Sequence, residues 1–202
     1  MLKRVVHGIL MSGLLGSIAL AAQAETSHQL GVSSYAMDID LSIPEVFVPN
    51  VGTIDLSTTI ESSGASLAYT VSGSDAAAFR FAYYNLDVDE IADIEVNAGE
   101  IKGFDLQILL GAGLNSTGFK VYIAPGFFSE SVSFDAEEED FRGLQIGLGF
   151  GYNWEVVSVE AWGNWRQGKE YEDFLNSFLP AGFDEKIEVD VVSMGISISA
   201  RF

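Results

Sequence analysis

The sequence contains no cysteine among its 202 residues. This excludes disulfide frameworks, thiolate metal sites and cysteine nucleophiles. Basic residues are also scarce, with 10 Lys and Arg against 29 Asp and Glu. We therefore expect no nucleic-acid partner, because phosphate binding needs clustered Lys and Arg side chains.

Long apolar runs are confined to the N-terminus. Lys3 and Arg4 precede an apolar stretch that ends in Ala22-Gln23-Ala24, the pattern of a secretory signal peptide. We predict that residues 1–24 are removed and that residues 25–202 form one domain. The mature chain would carry 8 basic residues (10 − 2) and 29 acidic residues, a formal charge of −21 (8 − 29). No later stretch reaches about 18 apolar residues, which excludes a helical membrane protein.

The rest of the chain alternates between apolar and polar residues with a period of two. Mean hydropathy is +0.24 despite the excess of acid, so disorder is not expected. A period of two is typical of β-strands with one apolar face. We predict eight strands, over residues 29–41, 65–71, 77–84, 103–110, 119–128, 141–152, 157–166 and 187–202.

The connections between these strands alternate in length. Short turns are predicted at residues 71–76, 111–118 and 152–155, and long loops at 42–63, 87–100, 129–140 and 167–186. The long connections hold most of the acidic residues. Short periplasmic turns and long extracellular loops are typical of outer-membrane barrels. We therefore predict an all-β fold, an antiparallel up-and-down transmembrane β-barrel in the bacterial outer membrane with acidic loops outside.

A barrel of eight strands has a narrow interior that side chains fill. Alternate positions of the strands place a set of polar residues inside. Because an unpaired ion is costly to bury, we expect these charges to pair. The predicted lumen network comprises Arg80, Asp105, Gln107, Lys120, Tyr122, Gln145, Glu160, Asn164 and Arg166.

The opposite parity places aromatic residues on the lipid side, where two belts are expected at the two interfaces. Lys102, on the same parity near the end of its strand, is predicted to contact a lipopolysaccharide phosphate. The predicted belts comprise Phe79, Phe119, Tyr152 and Phe202 beside the short turns, and Tyr83, Phe104, Phe127 and Trp165 beside the long loops.

Two irregularities interrupt the pattern. Pro125-Gly126 lies inside a strand, which predicts a β-bulge, since proline cannot donate to the ladder. In the last strand the apolar phase shifts between Val191 and Val192, which predicts either a bulge or the point where the strand leaves the membrane.

The last strand carries a family resemblance. Its segment VSMGISISARF, with apolar Val192, Met194, Ile196, Ile198, Ala200 and the terminal Phe202, resembles the signal read by the bacterial barrel-assembly machinery. With eight strands and a signal peptide, the chain resembles the small OmpA/OmpX-type outer-membrane barrels. The resemblance implies insertion by that machinery and a monomer surrounded by outer-membrane lipid and lipopolysaccharide. It also implies a role in adhesion or envelope integrity, toward a ligand that the sequence does not identify.

Catalysis is not expected, because the mature chain has a single histidine. His28 lies close to the new N-terminus and is predicted to be solvated. No cofactor is expected and no dedicated metal site, since the run Glu137-Glu138-Glu139-Asp140 lacks the spacing of a calcium loop and is predicted to make at most weak divalent-cation contacts. The alternative to a surface role is a narrow porin-like channel for small solutes or ions, gated by the lumen network.

Overall fold

The computed structural model describes residues 26–48, 52–92, 94–95, 99–134, 137–179 and 186–202. The predicted signal peptide lies outside these ranges. Among the described residues, no helix is long and apolar enough to cross a bilayer. The strands are β1 Ser27–Val48, β2 Gly52–Ser72, β3 Ala77–Ile91, β4 Ile94–Glu95, β5 Gly99–Ala112, β6 Gly118–Phe134, β7 Glu137–Asn153, β8 Val157–Arg166 and β9 Glu188–Arg201, and one helix, α1, spans Lys169–Asn176.

Eight long strands form a closed antiparallel barrel. The order of paired strands is β2-β1-β9-β8-β7-β6-β5-β3, and β2 also pairs with β3, which closes the sheet. β4 adds two residues that pair with the end of β3. The predicted fold, an eight-stranded up-and-down barrel, is confirmed.

The half of the barrel next to the short turns is apolar outside and polar inside. In β7, Ile146 and Leu148 are exposed on the outer face, whereas Gln145 is buried inside. Inward glycines make room for large polar neighbours, since a Cβ on Gly149 would lie 2.1 Å from the ring of Tyr122. The abundance of glycine on these strands is therefore a packing requirement of a narrow barrel.

The other half of the barrel, farther from the short turns, has the opposite arrangement: apolar residues face inward and polar residues face outward. In β9, Met194 and Ile196 are exposed on the outside, but Val189 and Val191 are buried inside. The pairing of β1 with β9 continues without a register shift across this region. The predicted bulge is therefore absent, and the alternative explanation holds: the strand leaves the apolar belt and its apolar face turns inward.

These strand extensions correct the predicted loops 42–63, 87–100 and 129–140, because most of those residues lie in β1, β2, β3, β5, β6 and β7. β3 shows the reason, since Leu86 and Val88 face inward while Asp87 and Asp89 face outward. The alternation continues with its faces exchanged, so it no longer matches a lipid-facing strand. Most acidic residues of these segments whose side chains the structure describes lie on the outer faces of strands.

An apolar core lies inside the half of the barrel farther from the short turns, which we call the upper barrel. Helix α1 packs against this core. The Tyr171 ring stacks on Phe141 with centroids 3.9 Å apart, and Phe174 meets Phe141 edge-on at 5.6 Å. The helix lies in the predicted loop 167–186 and was not expected, although Tyr171, Phe174, Leu175 and Phe178 have helical spacing. The buried core comprises Tyr35, Met37, Ile39, Tyr84, Leu86, Val88, Ile101, Phe128, Val132, Phe141, Tyr171, Val189 and Val191.

The predicted bulge at Pro125-Gly126 is wrong. β6 keeps a continuous register with β7 through the pair Pro125 and Ile146. Toward β5 the pairing stops at Gln107 with Gly126 and resumes in the same register at Leu110 with Ile123. Proline has no N–H to donate, and the ladder accommodates it by omitting pairs rather than by adding a residue.

Candidate functional site in the barrel interior

All nine residues of the predicted lumen network are buried inside the barrel. A tenth residue, Glu130, joins them from β6, although the sequence pattern predicts a loop at this position. Phe128 and Val132 are buried on the same parity, so counting onward from Phe128 would have found it. The buried charges in the described part of the chain are three cations, Arg80, Lys120 and Arg166, and three anions, Asp105, Glu130 and Glu160.

Arg80, Lys120 and Glu160 form what we call the inner cluster, on the side of the short turns. The Glu160 carboxylate lies 2.5 Å from both Arg80 Nη2 and Lys120 Nζ. Arg80 also donates to the Tyr122 hydroxyl at 2.9 Å and to Thr70 Oγ1 at 3.0 Å. One carboxylate therefore holds two cations, and the formal charge of the inner cluster is +1.

Arg166, Asp105 and Glu130 form the outer cluster, toward the barrel mouth. Arg166 Nη2 lies 3.0 Å from Asp105 Oδ1, and Nη1 lies 2.6 Å from Glu130 Oε2. The guanidinium also donates to the hydroxyls of Tyr35 and Tyr84. Here one cation holds two carboxylates, and the formal charge of the outer cluster is −1.

Helix α1 is attached to the outer cluster through Tyr171. The Tyr171 hydroxyl donates to Glu130 Oε1 at 2.5 Å, and the Tyr84 hydroxyl donates to Glu130 Oε2 at 2.6 Å. Burial raises the pKa of the Tyr171 phenol well above its ordinary value, and the charge of Glu130 raises it further. The phenol therefore stays protonated and keeps its hydrogen bond at neutral pH.

The two clusters face one small polar cavity. Its volume is about 20 Å³, and Arg80, Asp105 and Glu160 are among the residues that line it. Such a volume has room for about one water molecule. Gln107 Nε2 donates to Asn164 Oδ1 at 2.8 Å in the same layer. Side chains thus fill the barrel at this level, and the opposite charges of the two clusters cancel.

The outer face carries an apolar belt. On β7 the belt comprises alternate residues from Leu144 to Tyr152, a length of nine residues. This length agrees with the roughly 9–11 residues of a membrane-spanning strand. Beyond its upper edge Lys102 is exposed and paired with Glu100. The residues of the two predicted aromatic belts, and those of the terminal segment from Val192 to Phe202 on alternate positions, all lie on the outward parity, exposed or partly exposed.

The acidic run at the start of β7 does not converge on one point. Asp140 accepts a hydrogen bond from Ser131 Oγ at 2.5 Å, whereas Glu139 lies on the opposite parity and lines an apolar cavity. The side chain of Glu137 lies outside the described part of the structure. In the ranges that are described, no group of three or more His, Cys, Asp or Glu could hold a metal ion.

His28 is partly exposed and lies against Phe202. Its ring stacks between Tyr69 and Phe202, with centroids 5.9 Å from each, and Nδ1 lies 2.7 Å from the Tyr69 hydroxyl. Its backbone exchanges hydrogen bonds of 2.8 and 3.0 Å with Phe202. The ring is therefore part of the β1–β9 junction at the periplasmic rim of the predicted barrel.

No protein-family model matches the chain, and a comparison with curated proteins finds no sequence match. Among solved structures, the chain is similar in fold to small outer-membrane barrels. Neisserial surface protein A shares 11% identity over 86% of this chain and 97% of that one, with a TM-score of 0.49. OprG from Pseudomonas aeruginosa shares 17% over 89% and 98%, with a TM-score of 0.46. Ail of Yersinia pestis shares 14% over 85% and 99%, with a TM-score of 0.41.

Proposed function

We propose that this protein is an integral outer-membrane barrel with a non-catalytic role: it is a plugged scaffold that holds an acidic surface outside the membrane. One observation carries the proposal. The apolar face of the strands points outward over the height of a bilayer core and inward beyond it. A barrel surrounded by water over its whole height would not need an apolar outer face. A barrel surrounded by lipid over its whole height would not turn its apolar face inward.

The acidic surface is organised, which supports a role in surface interaction. We name it the acidic collar, and it lies on the outer faces of the extensions of four neighbouring strands, β9, β1, β2 and β3. Like charges stand directly opposite each other in it, since Asp40 pairs with Asp190 and Asp38 with Glu61. Such pairs are destabilising, so the collar is a cost to the fold that an interaction with cationic partners would offset. The collar comprises Asp38, Asp40, Glu61, Asp87, Asp89, Glu188 and Asp190.

A channel role receives less support. The residues of both charged clusters are buried, and the cavity that they line has a volume of only about 20 Å³. Opening a path for hydrated ions would require the buried ion pairs to separate, which is costly in a low-dielectric interior.

Planar-bilayer recording of the purified protein distinguishes the two roles. We expect no unitary currents across a range of voltages. Reproducible unitary currents from the wild-type protein would replace the scaffold role with the channel role. Location is tested separately by fractionation and by heat-dependent migration on SDS gels. Recovery of the protein as a periplasmic monomer that is soluble without detergent would contradict the membrane scaffold itself.

A further inference from the structure

A second cavity lies in the upper barrel, among the strand extensions and beside α1. Its volume is about 140 Å³, seven times that of the polar cavity below. Apolar side chains from both walls and from the helix line it, including Ile39, Ile60, Ile101, Phe141, Phe174 and Leu175.

This volume is sufficient for a small apolar ligand. A protein cavity of about 150 Å³ with aliphatic and aromatic walls stays dry and binds benzene. Tyr171 also lines the cavity, but its hydroxyl is already bonded to Glu130 at 2.5 Å. The polar group of Tyr171 is therefore not free to hold water in the cavity, and a hydrocarbon group would gain contacts with the walls.

The lining of the cavity carries a single charged side chain. Of the residues that line it, Glu139 alone is charged, and it is exposed to solvent. The acidic collar lies at the same end of the barrel, on four of its eight long strands. A ligand with a positive head group would place its charge beside the Glu139 carboxylate while its apolar part enters the cavity.

We propose that this cavity binds the apolar group of a small cationic amphiphile, with the ammonium group at Glu139. The site goes beyond the scaffold role and does not depend on it. Anionic amphiphiles of the same length would be repelled by Glu139 and by the acidic collar. Neutral ones would keep the apolar contacts but lack the ion pair.

Three six-carbon probes test the site on the full protein in lipid nanodiscs, with empty nanodiscs as the reference for partition into lipid. We expect saturable binding of hexylammonium and of 1-hexanol by calorimetry. Hexylammonium should bind about two- to five-fold more tightly, the effect of an exposed ion pair. Hexanoate should bind most weakly.

Variants test the contribution of the cavity to binding separately from the contribution of the Glu139 charge. Leu175→Trp, at a partly exposed position of α1, should fill the cavity and abolish saturable binding of both hexylammonium and hexanol. Glu139→Gln should make these two ligands equal, whereas Glu138→Gln, which removes the neighbouring carboxylate, should keep the preference for hexylammonium. The proposal is overturned if the wild-type protein binds neither ligand, if Leu175→Trp binds both unchanged, or if the preference survives Glu139→Gln.

Discussion

Glu130 lies 2.6 Å from Arg166 inside the barrel, and neither side chain is exposed to solvent. Arg166 is shared with Asp105 at 3.0 Å, so one guanidinium compensates two buried carboxylates. In the inner cluster the signs are exchanged, with Glu160 between two cations. Each cluster therefore has one central ion on which the other two depend. Removing the central ion should cost far more than removing one of its partners.

The outer cluster tests this asymmetry. Arg166→Met leaves Asp105 and Glu130 buried without a cation, and we expect a loss of roughly 3–5 kcal/mol in the free energy of unfolding. Glu130→Gln leaves a neutral Arg166–Asp105 pair and should cost clearly less. Urea unfolding in lipid vesicles measures both. Equal losses for the two variants would contradict the central role of Arg166.

The inner cluster gives the same test with the opposite charge. Glu160→Gln leaves Arg80 and Lys120 uncompensated, with an expected loss of about 3–5 kcal/mol. Lys120→Met leaves the Arg80–Glu160 pair, which is neutral, and should be tolerated better. Both variants are compared by the same unfolding measurement. If Lys120→Met proved the more damaging of the two, the assignment of Glu160 as the central ion would be wrong.

Tyr171→Phe should loosen α1 without weakening the barrel. The substitution removes the hydrogen bond to Glu130 but keeps the ring that stacks on Phe141. A hydrogen bond to a charged group is worth about 1.5–3 kcal/mol. Amide hydrogen exchange should accelerate in α1 while the exchange of the strands stays slow. Tyr83→Phe, on the outer face, is the matched control, and faster exchange in both variants would rule out the proposed attachment.

The apolar belt predicts that the cost of a charged substitution on the outer face depends strongly on its height along the barrel. Leu148→Arg, in the middle of the belt on β7, should lower the free energy of unfolding in lipid vesicles by roughly 2–4 kcal/mol. Asp89→Arg, on the outer face of β3 beyond the belt, should change the free energy of unfolding by less than about 1 kcal/mol, because that side chain is exposed to solvent. Similar losses at both positions would argue against a membrane boundary between them.

The raised pKa of Asp38, in the acidic collar, predicts that the contribution of this residue to folding stability depends on pH. Partial burial raises its pKa above the ordinary value of 3.8, and the neighbouring Asp40 carboxylate raises it further. The charged form is therefore disfavoured in the folded state, and at neutral pH Asp38 lowers stability. Asp38→Asn should stabilise the protein at pH 7, and the gain should vanish once the pH falls below 3.8, where the wild-type side chain is protonated in both states. Asp89→Asn, farther from the belt, serves as a control, and a gain that did not depend on pH would refute this assignment.

The sequence predicted the lower barrel well, because lipid on one side and a narrow lumen on the other impose a strict alternation. Arg80, Lys120 and Arg166 could be placed inside from parity alone. Parity also places Asp105 and Glu160 inside, but it does not give the pairing, because Arg80, Lys120 and Glu160 lie on three separate strands, β3, β6 and β8, and meet only when the barrel closes. Above the belt the faces exchange, so the alternation that continues in β3 and β6 no longer matches a lipid-facing strand, and the sequence predicts loops there. Glu130 was missed for this reason.

The exchange of faces also sets how deep the barrel sits. One strand period is about 7 Å, so a shift toward the cell by that distance would drive carboxylates such as Asp38 and Asp190 into hydrocarbon. A shift the other way would lift outward residues of the upper belt, such as Leu144 and Met194, into water. The outward apolar residues and the outward carboxylates therefore oppose shifts of the barrel in opposite directions. The mouth of the barrel, with Glu139 and the acidic collar, is thereby held at a constant height above the lipid head groups.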